Sequence, residues 1–132
     1  MKKYLLTAFA ALFVAALSFT ACKDKQEEED TQAPVLTIES PTEGGVYTGS
    51  VNLHMQVTDE SLHEMSVKVT RDADNSVVFE EDPTVHDETD FHFEHTHTFT
   101  GLSGDTPMTL TVVVEDHSAH STTKTIHFTA KP

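Results

Sequence analysis

Tryptophan is absent from the 132 residues, cysteine occurs once, and lysine and arginine together number 8 against 22 aspartates and glutamates. A lone cysteine excludes an intramolecular disulfide, a thiolate zinc cluster and dithiol redox chemistry. The shortage of positive charge leaves a formal charge of −14. Such a surface repels phosphate backbones and anionic headgroups, which excludes nucleic-acid binding as a default function. Past the N-terminal segment no run of ten or more residues carries helical spacing of apolar side chains. The Gly-x-Ser-x-Gly elbow, the phosphate loop, the Gly-rich dinucleotide turn and the His-Glu-x-x-His helix are all missing, so the chain reads as a non-enzyme.

What is present begins with the cysteine's surroundings. Met1-Lys2-Lys3 supplies positive charge, Tyr4 to Phe19 is an apolar run broken by Thr7 and Ser18, and Phe19-Thr20-Ala21 precedes Cys22. Charge, apolar stretch and small residues in that order make a secretory signal rather than a membrane span. The segment resembles a bacterial lipoprotein signal. That resemblance implies cleavage after residue 21, a diacylglycerol or other acyl lipid on Cys22, and anchoring in the outer membrane with exposure at the cell surface. Phe19 at the −3 position departs from the Leu of enterobacterial signals and looks more like the looser Bacteroidota form. Loss of residues 1–21 removes Lys2 and Lys3 and no acid, taking the formal charge from −14 to −16. Residues 22–32, from Cys22 through the acids Glu27, Glu28, Glu29 and Asp30, contain no apolar side chain after the cysteine. They read as a disordered tether.

From Ala33 to Pro132 the period is two. Pro34 and Pro41 bracket a first strand, as suits an edge. Val51, Leu53, Met55 and Val57 alternate with polar residues in a second, and Met65, Val67 and Val69 do so in a third. Val77–Glu80, Phe91–Phe99, Met108–Val114 and a segment around Ile126 and Phe128 complete the set, with turns at Gly44, Gly45, Gly49 and Asp72–Asn75. About seven short β-rich strands in one domain predict an all-β fold, a single immunoglobulin- or fibronectin-III-like antiparallel β-sandwich. Met55, Val67, Leu110, Val112 and Phe128 are the expected core.

Cys22, the acidic tether, the proline-bracketed strand, Asp59-Glu60-Ser61-Leu62-His63, the central histidines and Asp116 before a Thr-rich last strand form a recognisable set. Together they resemble a family of small Ig-like Bacteroidota lipoproteins known as a domain of unknown function. The resemblance implies fold and location rather than activity. Bacterial Ig-like domains often carry Asp-x-x-Gly-Asn before the last strand. Here Asp116-His117-Ser118-Ala119-His120 has Ala for Gly and His for Asn, a turn altered in the direction of ligand binding.

All nine histidines lie after Cys22. His95 and His97 share one strand face about 6.5 Å apart, a spacing from which two imidazoles can hold one ion, and imidazole suits zinc or copper. Their parity with Phe91, Phe93 and Phe99 points the pair toward the core side, while His92 and Glu94 occupy the other face. Candidate third ligands are His63, His86, His117 and His120. The metal set read from the sequence is therefore His92, Glu94, His95, His97, His117 and His120. Asp59-Glu60 and Glu115-Asp116, at strand ends, offer a weaker oxygen-ligand alternative for calcium. The expected function is a non-catalytic, surface-anchored Ig-like module that binds a divalent transition metal. The rival is an interaction module engaging a glycan, a host protein or a neighbouring outer-membrane receptor, with the histidines incidental.

Overall fold

A computed structural model of the chain describes residues 30–132. The signal segment 1–21, Cys22 and the tether up to Glu29 lie outside the described residues. Eight strands follow: β1 (Val35–Ser40), β2 (Val46–Thr48), β3 (Ser50–Thr58), β4 (Leu62–Arg71), β5 (Val77–Glu81), β6 (Asp90–Thr98), β7 (Thr106–Asp116) and β8 (Ser121–Lys131). They build one sheet in the order β1-β3-β6 and a second in the order β2-β8-β7-β4-β5. The two pack face to face as an immunoglobulin-like β-sandwich. Among the described residues no helix is long and apolar enough to cross a membrane.

Alternation in sequence becomes alternation in burial. Along β3 every second residue (Val51, Leu53, Met55, Val57) is buried, and β4 and β7 repeat the pattern with Met65, Val67, Val69 and with Met108, Leu110, Val112, Val114. A period of two on a half-buried sheet fixes register, because a slip of one residue would turn each apolar side chain to water. The expected core residues Met55, Val67, Leu110, Val112 and Phe128 are all buried.

The strand beyond the expected seven is β2, which pairs in parallel with β8. Its three residues are too few to show a period, and Gly44 and Gly49 on either side have positive φ, so the segment reads as a turn. Tyr47 holds it in place. Its ring meets Phe128 edge-on at 5.7 Å, and its hydroxyl accepts the Thr42 N–H at 2.8 Å.

Strand direction then decides which histidines can meet. β4 starts, β5 ends, β6 starts, β7 ends and β8 starts at one end of the sandwich. His63, His86, His117 and His120 sit at that end. His97 pairs with Val51 at the start of β3, toward the opposite end.

Candidate metal centre

Three loops tied together by backbone hydrogen bonds build the histidine end. Val85 is buried and pins the β5–β6 connection to the core. Leu62 N–H donates to Glu88 O at 2.9 Å and Asp87 N–H donates to Leu62 O at 2.9 Å. The next connection is fixed by His117 N–H donating to Ser61 O at 3.1 Å. The β4–β7 register skips His63: Leu62 faces Asp116 and Glu64 faces Glu115. A bulge of this kind re-aims one side chain out of the sheet's alternation, and here the residue is His63.

The result is a triad of imidazoles. The ring centroids of His63 and His117 are 4.6 Å apart, those of His86 and His117 4.6 Å, and those of His63 and His86 5.3 Å. One ligand nitrogen from each ring can be chosen so that all three lie within 4.8 Å of one another. His63 Nδ1 and His86 Nδ1 lie 3.3 Å apart. Two nitrogens bound to one tetrahedral zinc at about 2.0–2.1 Å stand about 3.3–3.4 Å apart, so this edge already has ligand spacing.

Carboxylates face the outer side of each ring. Asp87 Oδ1 lies 3.0 Å from His117 Nε2, Asp87 Oδ2 lies 3.6 Å from His86 Nε2, and Glu64 Oε1 lies 3.7 Å from His63 Nε2. The last two are too long for hydrogen bonds but favour the proton on Nε2 electrostatically. The two Nδ1 atoms, 3.3 Å apart, can share one proton in a hydrogen bond, the donor depending on the tautomer, and a cation between them would take that proton's place. Carboxylates behind metal-binding imidazoles fix the tautomer and raise ligand basicity in the same way. The side chains of His63, His86 and His117 are 37%, 54% and 36% exposed, so an ion reaches them without any opening of the fold. Beside them lies a groove of about 520 Å³ with Glu64, Asp82 and Glu115 in its walls.

The β6 residues behave differently. His95 and His97 do share a face, the inward one, since they pair with the buried Leu53 and Val51. Their ring centroids are 6.4 Å apart. The Phe79 ring stacks on His95 at 4.4 Å and lies 5.7 Å from His97. Burial first, and the adjacent His95 second, hold the His97 imidazole below its ordinary pKa. No group of three possible ligands among the described residues includes this pair. His63, His86, His117 and His120 are at the far end of the sandwich from His97, so none of them joins it. His92 and Glu94 stand on the outer face, where His92 Nε2 lies 3.4 Å from Asp90 and the Asn52 amide donates to Glu94 at 3.4 Å.

His120 serves the last turn. Asp116, 1% exposed, accepts the Ser118 N–H at 2.7 Å and the His120 N–H at 2.8 Å through Oδ1, and its Oδ2 lies 2.9 Å from His120 Nδ1. Burial pushes this carboxyl up, but the hydrogen bonds from His120 and Ser118 outweigh it, and the net displacement is downward. Ala119 carries a φ of 63° in the same turn, the left-handed position where a glycine is the usual occupant. A second possible ligand group, Asp30 with Asp116 and His120, draws on this already engaged carboxylate. At the other acidic corner, Asp59 Oδ1 accepts the Ser61 N–H at 2.9 Å.

The sequence reading thus named His63, His86 and His117 only as supplements to His95 and His97, whereas the fold joins them to one another. The legible signal lay in topology: antiparallel neighbours bring the start of β4, the end of β5 and the end of β7 to one edge.

No protein-family model matches the chain, and no curated protein matches it. One similar solved structure is an engineered protein, with a TM-score of 0.55 and 19% identity, covering 75% of this chain and 20% of that one. The chain therefore spans about a fifth of that protein's length, and the likeness extends to the fold alone.

Proposed function

We propose that the protein is a non-catalytic, lipid-anchored immunoglobulin-like module, held in the outer membrane through Cys22 and displayed at the cell surface. It binds one divalent transition-metal ion, zinc or copper, through His63, His86 and His117. The carrying observation is the Nδ1–Nδ1 edge of 3.3 Å, with carboxylates behind the rings. The formal charge of −16 left after loss of residues 1–21 adds a field that concentrates cations near the site. The imidazoles select among those cations, because nitrogen donors suit zinc and copper better than calcium or magnesium. The anchor rests on the order of charge, apolar run and small residues before Cys22.

Calorimetry on tag-free mature protein tests the metal. Zinc is expected to bind at micromolar levels and to raise the thermal midpoint, since a ligand specific to the native state stabilises it by about 2.7 kcal/mol at a hundred times its Kd. His63→Ala with His86→Ala abolishes both effects, while His95→Ala with His97→Ala leaves them in place. The opposite pattern moves the site to β6. If neither zinc nor copper binds, the reading as an interaction module for a glycan, host protein or outer-membrane receptor takes its place.

A further inference from the structure

Positive charge is confined to one of the two sheets. Among the described residues the basic ones are Lys68, Arg71, Lys124 and Lys131, and all of them lie on β4 and β8 of the five-stranded sheet. The strands of the other sheet carry Glu39, Asp90 and Glu94 and no lysine or arginine. One edge of that sheet is β6. Asp90 and Glu94 are exposed on it, with neutral amides as hydrogen-bond donors: Gln56 donates to Asp90 at 2.9 Å and Asn52 to Glu94 at 3.4 Å.

An open strand edge is a template for another strand, and folded proteins guard such edges with lysine, proline, a bulge or extreme shortness. The other three edges here are guarded in these ways. β1 is bracketed by Pro34 and Pro41 and breaks register between Ile38 and Ser40. β2 is three residues long. β5 is five residues long, shifts register against Val69 and Thr70, and is followed by Pro83. By contrast β6 runs nine residues in unbroken register with β3 and contains neither proline nor lysine. Among the described residues its main chain is hydrogen-bonded to no strand but β3. The inner side of the same edge is incompletely covered: the rings of Phe91, His95 and His97 on β6 and of Phe79 on β5 are only half-buried.

We propose that β6 takes up an added strand from a partner molecule, an extended cationic segment with lysine or arginine at every second position and apolar residues between. Main-chain hydrogen bonds to β6 supply the attachment, as in other cases of strand addition. Alternation puts the basic side chains on the outer face beside Asp90 and Glu94, where opposite charges on neighbouring strands attract. The apolar residues then point inward, toward Phe91 and the half-buried imidazoles. A second copy of this chain is the disfavoured occupant, because two domains of formal charge −16 repel each other and β6 brings no lysine or arginine to its own acids. No member of the histidine triad takes part, so the proposal is independent of the metal reading.

The test uses the full mature chain, labelled with nitrogen-15, and a synthetic nonapeptide in which lysine alternates with valine. At neutral pH the peptide is expected to bind saturably at submillimolar concentration and to slow amide exchange within residues 90–98, leaving β1 unaffected. Glu94→Lys is expected to weaken binding about tenfold, the swing from an attractive to a repulsive cross-strand pair. Glu39→Lys makes the same change of net charge at the opposite edge of the sheet and is expected to alter affinity by less than about twofold, because salt screens distant exposed charges. Correlation spectra that keep the dispersion of the folded chain show that neither variant has lost its fold. Equal weakening by the two variants overturns strand addition at this edge, and so does equally tight binding of a peptide with all its lysines grouped ahead of its valines. Concentration-dependent protection of residues 90–98 without peptide makes a second copy the occupant and overturns the cationic partner. A peptide that leaves exchange in β6 unchanged overturns the site.

Discussion

His97 and Asp116 show how far single side chains are set by what surrounds them. Both have pKa values displaced downward, yet for different reasons: burial beside His95 in one case, donated hydrogen bonds in the other. For His97 the neutral ring is the form the fold favours, so the unfolded chain takes up a proton more readily. Its contribution is fully present above the ordinary imidazole value of about 6.5 and is lost as pH falls through the lower folded value. Asp116 acts in a lower window, because its stabilising charge is retained above the unfolded value of 3.8 and lost below it. The thermal midpoint in the presence of a chelator is therefore expected to decline from about pH 6.5 downward. His97→Gln, which cannot titrate, flattens the first part of that decline and leaves the part below pH 4 unchanged. Equal slopes for the two proteins between pH 6.5 and 5 refute the assignment to His97.

At the scale of elements, β7 is the strand on which the sandwich depends. It pairs with both β4 and β8, and Met108, Leu110, Val112 and Val114 are all buried along it. Leu110→Ala leaves a cavity at a fully buried position and is expected to cost about 2–5 kcal/mol, read from denaturant midpoints. A change below about 0.5 kcal/mol means that Leu110 is not in the core. Strands of this kind were legible because apolar and polar residues alternate over eight or more positions. β2 was not, since Val46-Tyr47-Thr48 owes its pairing to Tyr47 packing on Phe128, a contact 81 positions away in sequence. The inward face of His95 and His97 followed from parity with Phe93. The triad did not, because His63, His86 and His117 lie on three separate segments, and their meeting depends on strand direction and on the bulge at His63. Spacing within one strand carries no information about such a cluster.

The whole molecule has two unlike ends. The chain enters at the histidine end: Val35 of β1 pairs with Thr58, and the Thr122 hydroxyl donates to Pro34 O at 2.6 Å, close to the β7–β8 turn that carries His117. Arg71, the last residue of β4, lies at the far end. Even fully extended, the chain from Cys22 to Pro34 spans no more than about 40 Å, so under the proposed anchoring the domain would be held close to the bilayer. The chain left after residue 21 carries a formal charge of −16 and has no electrostatic attraction to anionic lipid, so under the proposed anchoring the acyl chains would be the means of retention. More than one chain is expected, since a single one gives marginal, reversible binding. Cys22→Ser is thus expected to move the protein from the membrane to the soluble fraction. The released protein should keep its zinc affinity, because the three histidines and their carboxylates are all built by the folded domain. Wild-type protein that fractionates as soluble eliminates the anchor. A released variant that has lost zinc binding places part of the metal site in the tether rather than in the triad.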